Sequence, residues 1–317
     1  MNQLLEERIG TEVSIRNILF ATDFSNVSEA AVPYARALAL RYGSTLHVAH
    51  VLPEVTFLRP GAPDPAVIGS IYEDAHSGAQ EKMQRLTDRL QGFPHRAYVR
   101  HGKVCDMLAE IIREQKIDLL VAGTHGRTGL GKLVMGSVAE DIFRHASCPV
   151  LTVGPRVAAA ERVADARHDP ELPLPQVKFR QILYATDFKP DSAQGVSYAV
   201  SLANEFRAKL TLLHVIEDFG EKLHEHPGPI EIALRKLQAL VPDDSGLRYP
   251  LDLVAEFGIP SEQILLAAAG RDADLILLGV RPAASHMAAA THLGGSTAHK
   301  VVVGANCPVL TIRGKNS

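Results

Sequence analysis

Asn17-Ile-Leu-Phe-Ala-Thr-Asp23-Phe24 returns 164 residues later as Gln181-Ile-Leu-Tyr-Ala-Thr-Asp187-Phe188, and that return decides the fold. The same offset relates Leu46-His-Val-Ala-His50-Val51 to Leu210-Thr-Leu-Leu-His214-Val215. Further on, Ile117-Asp118-Leu-Leu-Val-Ala-Gly123 matches Ala273-Asp274-Leu-Ile-Leu-Leu-Gly279 at an offset of 156, and Cys148-Pro-Val-Leu-Thr-Val153 matches Cys307-Pro-Val-Leu-Thr-Ile312 at 159. Two copies of one domain lie in tandem. The changing offsets locate the length differences: the second copy is shorter between its second and fourth strands and longer in the loop after the fourth. This reading divides the chain into residues 1–154, a linker over 155–177 rich in Ala, Pro and charge, and residues 178–317. The linker composition predicts a short helix around 158–166.

Within the first copy, the periodicity predicts strands near 17–22, 45–51, 96–101, 118–123 and 149–153. It predicts helices near 27–42, 71–91, 104–115 and 137–146. Strands that alternate with helices make a parallel sheet with helices on both faces. The near-continuous apolar run Leu119–Ala122 fits a strand buried on both sides. The expected fold is therefore α/β, two tandem doubly wound domains of five parallel strands each. In such sheets ligands bind beyond the carboxyl ends of the strands, and Asp23, Val51 and Gly123 all fall there.

Between the fourth strand and the last helix lies Gly123-Thr-His-Gly126-Arg-Thr-Gly129-Leu-Gly131-Lys132-Leu-Val-Met-Gly136-Ser137. Glycines let a backbone approach a ligand closely, and the amides at a helix start carry partial positive charge. This is the composition of a phosphate-binding loop. Ser137 and Glu140 form the Ser-x-x-Glu pattern of a capping box, which would define the helix start. Arg127 and Lys132 can offset phosphate charge. Asp23 can accept from a ribose hydroxyl or help hold Mg2+, and can also cap the helix that follows, as can Ser25. His47, His50 and His214 sit in strand patterns and read as hydrogen-bonded structure rather than metal ligands. His125 lies in the loop without a visible general-base partner. Asp118 and Asp274 start strands at the opposite end and read as turn residues. Neither the P-loop pattern nor a strand-one Gly-x-Gly-x-x-Gly occurs, which argues against P-loop ATPases and dinucleotide-dependent dehydrogenases.

Composition narrows the class further. At 317 residues the chain accommodates two domains, and 46% hydrophobic residues supply their cores. A net charge of −3 with interspersed signs implies no nucleic-acid partner. Three scattered cysteines suit a reducing compartment, and neither a secretory leader nor a membrane-length apolar run is present, so a cytoplasmic protein is expected.

The glycine stretch resembles the signature of the universal stress protein family: Gly, two residues, Gly, nine residues, Gly, then Ser or Thr. Gly123, Gly126, Gly136 and Ser137 meet every position. Ala-Thr-Asp-Phe-Ser, the His-Val closing strand two and Cys-Pro-Val-Leu-Thr-Val extend the resemblance over both copies. It implies a Rossmann-like fold of the adenine nucleotide alpha hydrolase kind, holding ATP between the end of strand one and the glycine loop. By the same resemblance the nucleoside contacts fall on Ala21, Thr22 and Asp23, with Val51 beside the adenine. The phosphate and ribose contacts fall on Gly123, Gly126, Arg127, Gly129, Gly136, Ser137 and Val138. It also implies that the two copies pair through their last strands, Pro149–Val153 and Pro308–Ile312, within the chain, and that chains associate further as a homodimer.

The second copy departs from the pattern. Pro282 stands where the second glycine belongs, with a fixed φ and no N–H, and the interior glycines before Gly294 are gone. Ser296 and Thr297 lack a Glu three positions on. The expectation is a stress-response protein that loads ATP, with or without Mg2+, in its first copy and acts by binding an unidentified protein partner. A slow Mg2+-dependent ATPase or phosphotransferase, and a nucleotide-free scaffold, are the alternatives.

Overall fold

In the computed structural model, described over residues 13–53, 65–90, 92–124, 135–164, 176–217, 228–280 and 296–313, strands and helices alternate through both copies. The first copy runs β1 (Asn17–Ala21), α1 (Asn26–Glu29), α2 (Val32–Tyr42), β2 (Thr45–Leu52), α3 (Pro65–Asp88), β3 (His95–His101), α4 (Val104–Glu114), β4 (Leu119–Gly123), α5 (Ser137–His145) and β5 (Val150–Val153). Helix α6 (Pro155–Ala164) follows in the linker. The second copy runs β6 (Gln181–Ala185), α7 (Pro190–Phe206), β7 (Lys209–Ile216), α8 (Gly228–Leu240), β8 (Asp252–Phe257), α9 (Pro260–Gly270), β9 (Leu275–Val280), α10 (Thr297–Gly304) and β10 (Val309–Arg313). None of the described helices is long and apolar enough to cross a membrane.

The chain divides into two compact bodies, one of Ile15–Cys148 with Ala158–Val177, the other of Pro149–Val157 with Lys178–Ser317 and Met1–Ser14. The first holds parallel strands in the order β3-β2-β1-β4. The second holds β5-β10-β9-β6-β7-β8, parallel except that β5 pairs antiparallel with β10. There Thr311 registers on Val150 and Val309 on Thr152, and each threonine hydroxyl donates across the pair, Thr152 Oγ1 to the Val309 carbonyl at 3.1 Å and Thr311 Oγ1 to the Val150 carbonyl at 3.2 Å. The fifth strand of the first copy thus counts with the second body.

In each body the chain winds outward from the first strand to the next two, then crosses to its other side. The winding direction therefore switches between β1 and β4, and between β6 and β9, so their carboxyl ends are adjacent where the connections part. Residues Ile18–Phe20 and Leu119–Ala122 are all buried, as strands covered on both faces require.

Asp118 and Asp274 do more than turn the chain. The Asp118 carboxylate accepts from the amides of Arg16 and Asn17, at 2.7 and 2.9 Å. Asp274 accepts from those of Arg180 and Gln181 at 2.7 and 3.0 Å. Each thereby pins the start of a central strand to the start of its neighbour. The expected helix over 27–42 is split into α1 and α2. Pro33 lacks the amide that a continuous helix would donate to the Glu29 carbonyl. The equivalent α7 has Ser197 at that position and runs unbroken. Both helices end on a left-handed residue, Gly43 (φ 65°) in the first copy and Arg207 (φ 53°) in the second, where a side chain costs on the order of 1 kcal/mol.

Histidine 47 is buried in β2 with both ring nitrogens engaged, Nδ1 to the Tyr98 hydroxyl at 3.0 Å and Nε2 to Asn17 Oδ1 at 3.2 Å. Burial, with the Arg96 guanidinium nearby, lowers its pKa to about 4. The folded state thus keeps the imidazole neutral, while the unfolded chain takes up a proton near pH 6.5. Its contribution to stability is complete above pH 6.5 and is lost as the pH falls towards 4, about 3 kcal/mol in total. Urea unfolding at stepped pH should show this decline, and H47Q should flatten it relative to the parent protein.

Candidate functional site

The site begins where β1 ends. The Thr22 amide donates to the Ala49 carbonyl at 2.9 Å, extending the β1–β2 pairing by one residue, and the chain then turns sharply. Phe24 holds φ 59°, a left-handed conformation that an aromatic residue adopts only under constraint. The constraint is visible. Thr22 Oγ1 accepts from the Phe24 amide at 3.0 Å, and Asp23 Oδ1 accepts from the Ser25 amide at 3.0 Å. Ser25 Oγ in turn caps α1 by accepting from the Ser28 amide at 3.3 Å. From β2, buried His50 donates Nδ1–H to the Thr22 carbonyl at 2.8 Å, and its ring lies 4.5 Å from that of Phe24, centroid to centroid. The Lys82 ammonium of α3 sits 6.0 Å from the Phe24 ring centroid. His50 and His47 are structural, as their strand setting suggests.

The second copy builds the same turn. Phe188 has φ 60°, Thr186 Oγ1 accepts from its amide at 3.1 Å, and Asp187 Oδ1 accepts from the Lys189 amide at 3.1 Å. His214 donates to the Thr186 carbonyl at 2.8 Å and lies 4.2 Å from the Phe188 ring, with Lys236 at 5.5 Å. Burial lowers the His214 pKa, against the opposing effect of that hydrogen bond. One difference matters. Lys189 replaces Ser25, and its ammonium pairs with Asp187 Oδ2 at 3.0 Å.

Beside this turn, Ala21 registers on Ala122, so Gly123 follows next to Thr22. A Cβ on Gly123 would come within 3.1 Å of the Ser28 amide nitrogen and 3.2 Å of the Val27 carbonyl carbon, so the absent side chain is what lets α1 lie against β4. Val51, 7% exposed, lies near the end of β2, two residues beyond Ala49, the register partner of Ala21. Beyond β4, the Gly136 amide donates to the carbonyl of fully buried Thr124 at 2.9 Å, which brings the two ends of the glycine loop together. His125, Gly126, Arg127, Gly129, Gly131 and Lys132 lie outside the described residues, as does Pro282 in the second loop.

The capping box is not formed. Gly136, extended at φ −66° and ψ 151°, is the N-cap of α5, and its carbonyl accepts from the Glu140 amide at 2.8 Å. Ser137 is therefore the first helical residue and is exposed, like Val138 at 41%. The Glu140 carboxylate turns forward to Arg144 at 2.7 Å instead of back to the cap. The cap appears where it was not expected: Ser296 Oγ accepts from the His299 amide at 3.2 Å at the start of α10. Sequence reasoning also missed Thr124 and the Phe24–His50 pair as parts of the site. The joint recurrence of Phe24 and His50 as Phe188 and His214 is the signal that could have identified the pair. Among the described residues no group of three His, Cys, Asp or Glu is placed to hold a metal ion.

With this geometry in view, comparisons with known proteins point one way. The model of the Universal stress protein family matches residues 14–154 and again 178–313. A universal stress protein of Methanocaldococcus jannaschii is 28% identical over 139 residues, covering 44% of this chain and 81% of its own. One of Mycolicibacterium smegmatis is 27% identical over 208 residues, covering 64% of this chain and 65% of its own. Among solved structures, a universal stress protein from Archaeoglobus fulgidus superposes with a TM-score of 0.67 at 21% identity, over 95% of this chain and 97% of its own, a likeness of fold.

The exchanged cap roles separate two serines that look alike in sequence. S296A should cost about 1 kcal/mol of stability, because it removes the acceptor for the His299 amide. S137A should leave stability within a few tenths of a kcal/mol, because alanine is well accepted in the first helical turn. Thermal and urea unfolding of the two variants checks both.

Proposed function

From its membership of the universal stress protein family, to which this chain belongs over both copies, we propose that the first copy binds ATP or a closely related adenine nucleotide and the second does not. One bond carries the reading, that from the Gly136 amide to the Thr124 carbonyl at 2.9 Å. It sets the start of α5 beside the end of β4, one strand from the turn that presents Asp23. The first-turn amides of α5 lack intrahelical acceptors and carry partial positive charge, so phosphate oxygens are favoured there. Exposed Ser137 adds a hydroxyl donor. Across the switch point, the Asp23 carboxylate accepts from ribose hydroxyls, and Val51 offers an apolar wall to the purine. Gly126, Arg127 and Gly129 complete the phosphate loop in this reading, with Mg2+ accompanying the triphosphate.

In the second copy the Lys189 ammonium sits on the carboxylate that corresponds to Asp23, and Pro282 removes a loop amide. Both changes weaken the same two halves of the site. The protein then acts in stress response as a nucleotide-loaded binding module, in the cytoplasm and as a dimer, rather than as a fast catalyst.

Titration calorimetry of the full chain with MgATP tests this. The expected result is one nucleotide per chain, an affinity reduced about tenfold or more by D23N, and no change with D187N. S137A should weaken binding while leaving the fold intact. Two equivalent sites per chain, no binding heat at any temperature, or indifference to D23N would overturn the assignment. Magnesium-dependent phosphate release abolished by D23N would move the protein to the slow ATPase class.

A further inference from the structure

The outermost strands of the two bodies are equivalent in the repeat but opposite in charge. Among the described residues, strand β3 pairs on one side only, with β2, and β8 pairs on one side only, with β7. In the first copy Arg96 registers on His47, Tyr98 on Ala49 and Arg100 on Val51. In the second, Asp252 registers on Thr211, Val254 on Leu213 and Glu256 on Val215. Because His47, Ala49 and Val51 correspond to Thr211, Leu213 and Val215 through the 164-residue repeat, Arg96 corresponds to Asp252, Tyr98 to Val254 and Arg100 to Glu256. Side chains two apart share a strand face. One edge therefore carries Arg-Tyr-Arg and the other Asp-Val-Glu at matching positions.

An open edge with main-chain donors and acceptors is a template for another strand, and charges placed on it usually prevent pairing. Here the charges forbid only like with like: two β3 edges, or two β8 edges, would face equal charges directly across the ladder. A β3 edge against a β8 edge meets opposite charges at both ends of the triplet, with Tyr98, whose hydroxyl is bonded to His47, and the buried Val254 at the middle position. The match survives in either strand direction, since both triplets read the same forwards and backwards in sign. The local partners of these groups leave the match available. Arg96 reaches a neutral group, Gln115 Oε1, at 3.2 Å, and Arg100 lies 5.9 Å from the Tyr98 ring. Asp252 Oδ2 accepts from the Thr211 hydroxyl at 3.0 Å and from Arg271 at 2.9 Å, the latter a surface pair that contributes little, and its second oxygen remains for a partner strand. Arg96, Ala97, Arg100, Asp252 and Glu256 are all exposed.

We propose that a second copy of this chain is the partner of these edges, β3 of one copy adding to β8 of the other. The contact is heterologous, so each chain retains one unsatisfied edge for each it uses until a ring closes or an end is reached. It is independent of the nucleotide reading. Main-chain hydrogen bonds supply the affinity, and the reversed charges supply the choice of edge.

Sedimentation velocity of the full chain across a concentration series, at low and high salt, reads this directly. The weight-average mass should rise with concentration and fall with salt. R96E/R100E alone and D252K/E256K alone should each lose the concentration-dependent increase, since every available edge pairing then meets equal charges. An equimolar mixture of the two variants should restore it, as should the chain carrying all four substitutions. Circular dichroism melts of each variant establish that loss reflects the edge and not the fold. A mass that does not change with concentration, variants that still associate singly, or a mixture that fails to restore association would each overturn the proposal.

Discussion

The carbonyl of Thr22, held by the His50 ring at 2.8 Å, fixes how the chain leaves its first strand, and the candidate site is built on that exit. Here Phe24 is held in a left-handed conformation that puts its ring on the imidazole, with the half-buried Asp23 beside it. A non-glycine residue at φ near 60° costs on the order of 1 kcal/mol or more, so the surrounding contacts must over-determine it. They do so twice, since the second copy repeats the bond, the ring contact and the dihedral. A strained turn kept in both halves of a diverged repeat is part of the architecture of the fold. What the turn carries is then free to differ between the halves.

The turn works because of where it is. With β1 between β2 and β4, its carboxyl end faces the one place where neighbouring connections depart to opposite sides. Gly123 is needed there first for packing: α1 lies so close that a methyl group would meet its backbone. Close packing of α1 and access for a ligand both ask for glycine at that position, so this glycine alone does not argue for nucleotide. The bond from Gly136 to Thr124 sets a helix start against the end of the strand.

The features legible in the sequence are those written in side-chain type and spacing. Continuous apolar runs located β1, β2 and β4 within a residue or two, and the repeated motifs placed Thr22 and Asp23 at a strand end. Features decided by backbone conformation were not legible. Pro33 splits a helix because of one missing amide, although the apolar pattern on both sides reads as continuous. Helix α3 begins at Pro65, six residues before the pattern suggests, because proline is acceptable in a first turn while Pro and Gly clusters read as loop. The capping box failed by a single residue. Gly136 takes the extended cap conformation that Ser137 was expected to take, so the hydroxyl moved onto the helix while its counterpart Ser296 remained outside as the cap. A shift of one position in a helix start changes a side chain from cap to candidate ligand, and no composition rule resolves it.

Tandem duplication explains why the two copies can share a skeleton and differ in chemistry. The constraints that hold the skeleton are local to each copy: an aspartate gripping two strand-start amides, a histidine on a threonine carbonyl, a left-handed phenylalanine. Each survives intact in both. The changes fall on groups that touch none of these bonds through their side chains. Serine to lysine after the turn keeps the amide that donates to the aspartate, at 3.0 Å in one copy and 3.1 Å in the other, while bringing a cation onto its second oxygen. The pair is half-exposed and weak in energy, but the ammonium occupies lone pairs of that carboxylate. Reversing the sign at an exposed strand edge likewise leaves every ladder bond in place. Substitutions of this kind cost the fold little, and they are the ones by which a repeated domain acquires two different surfaces.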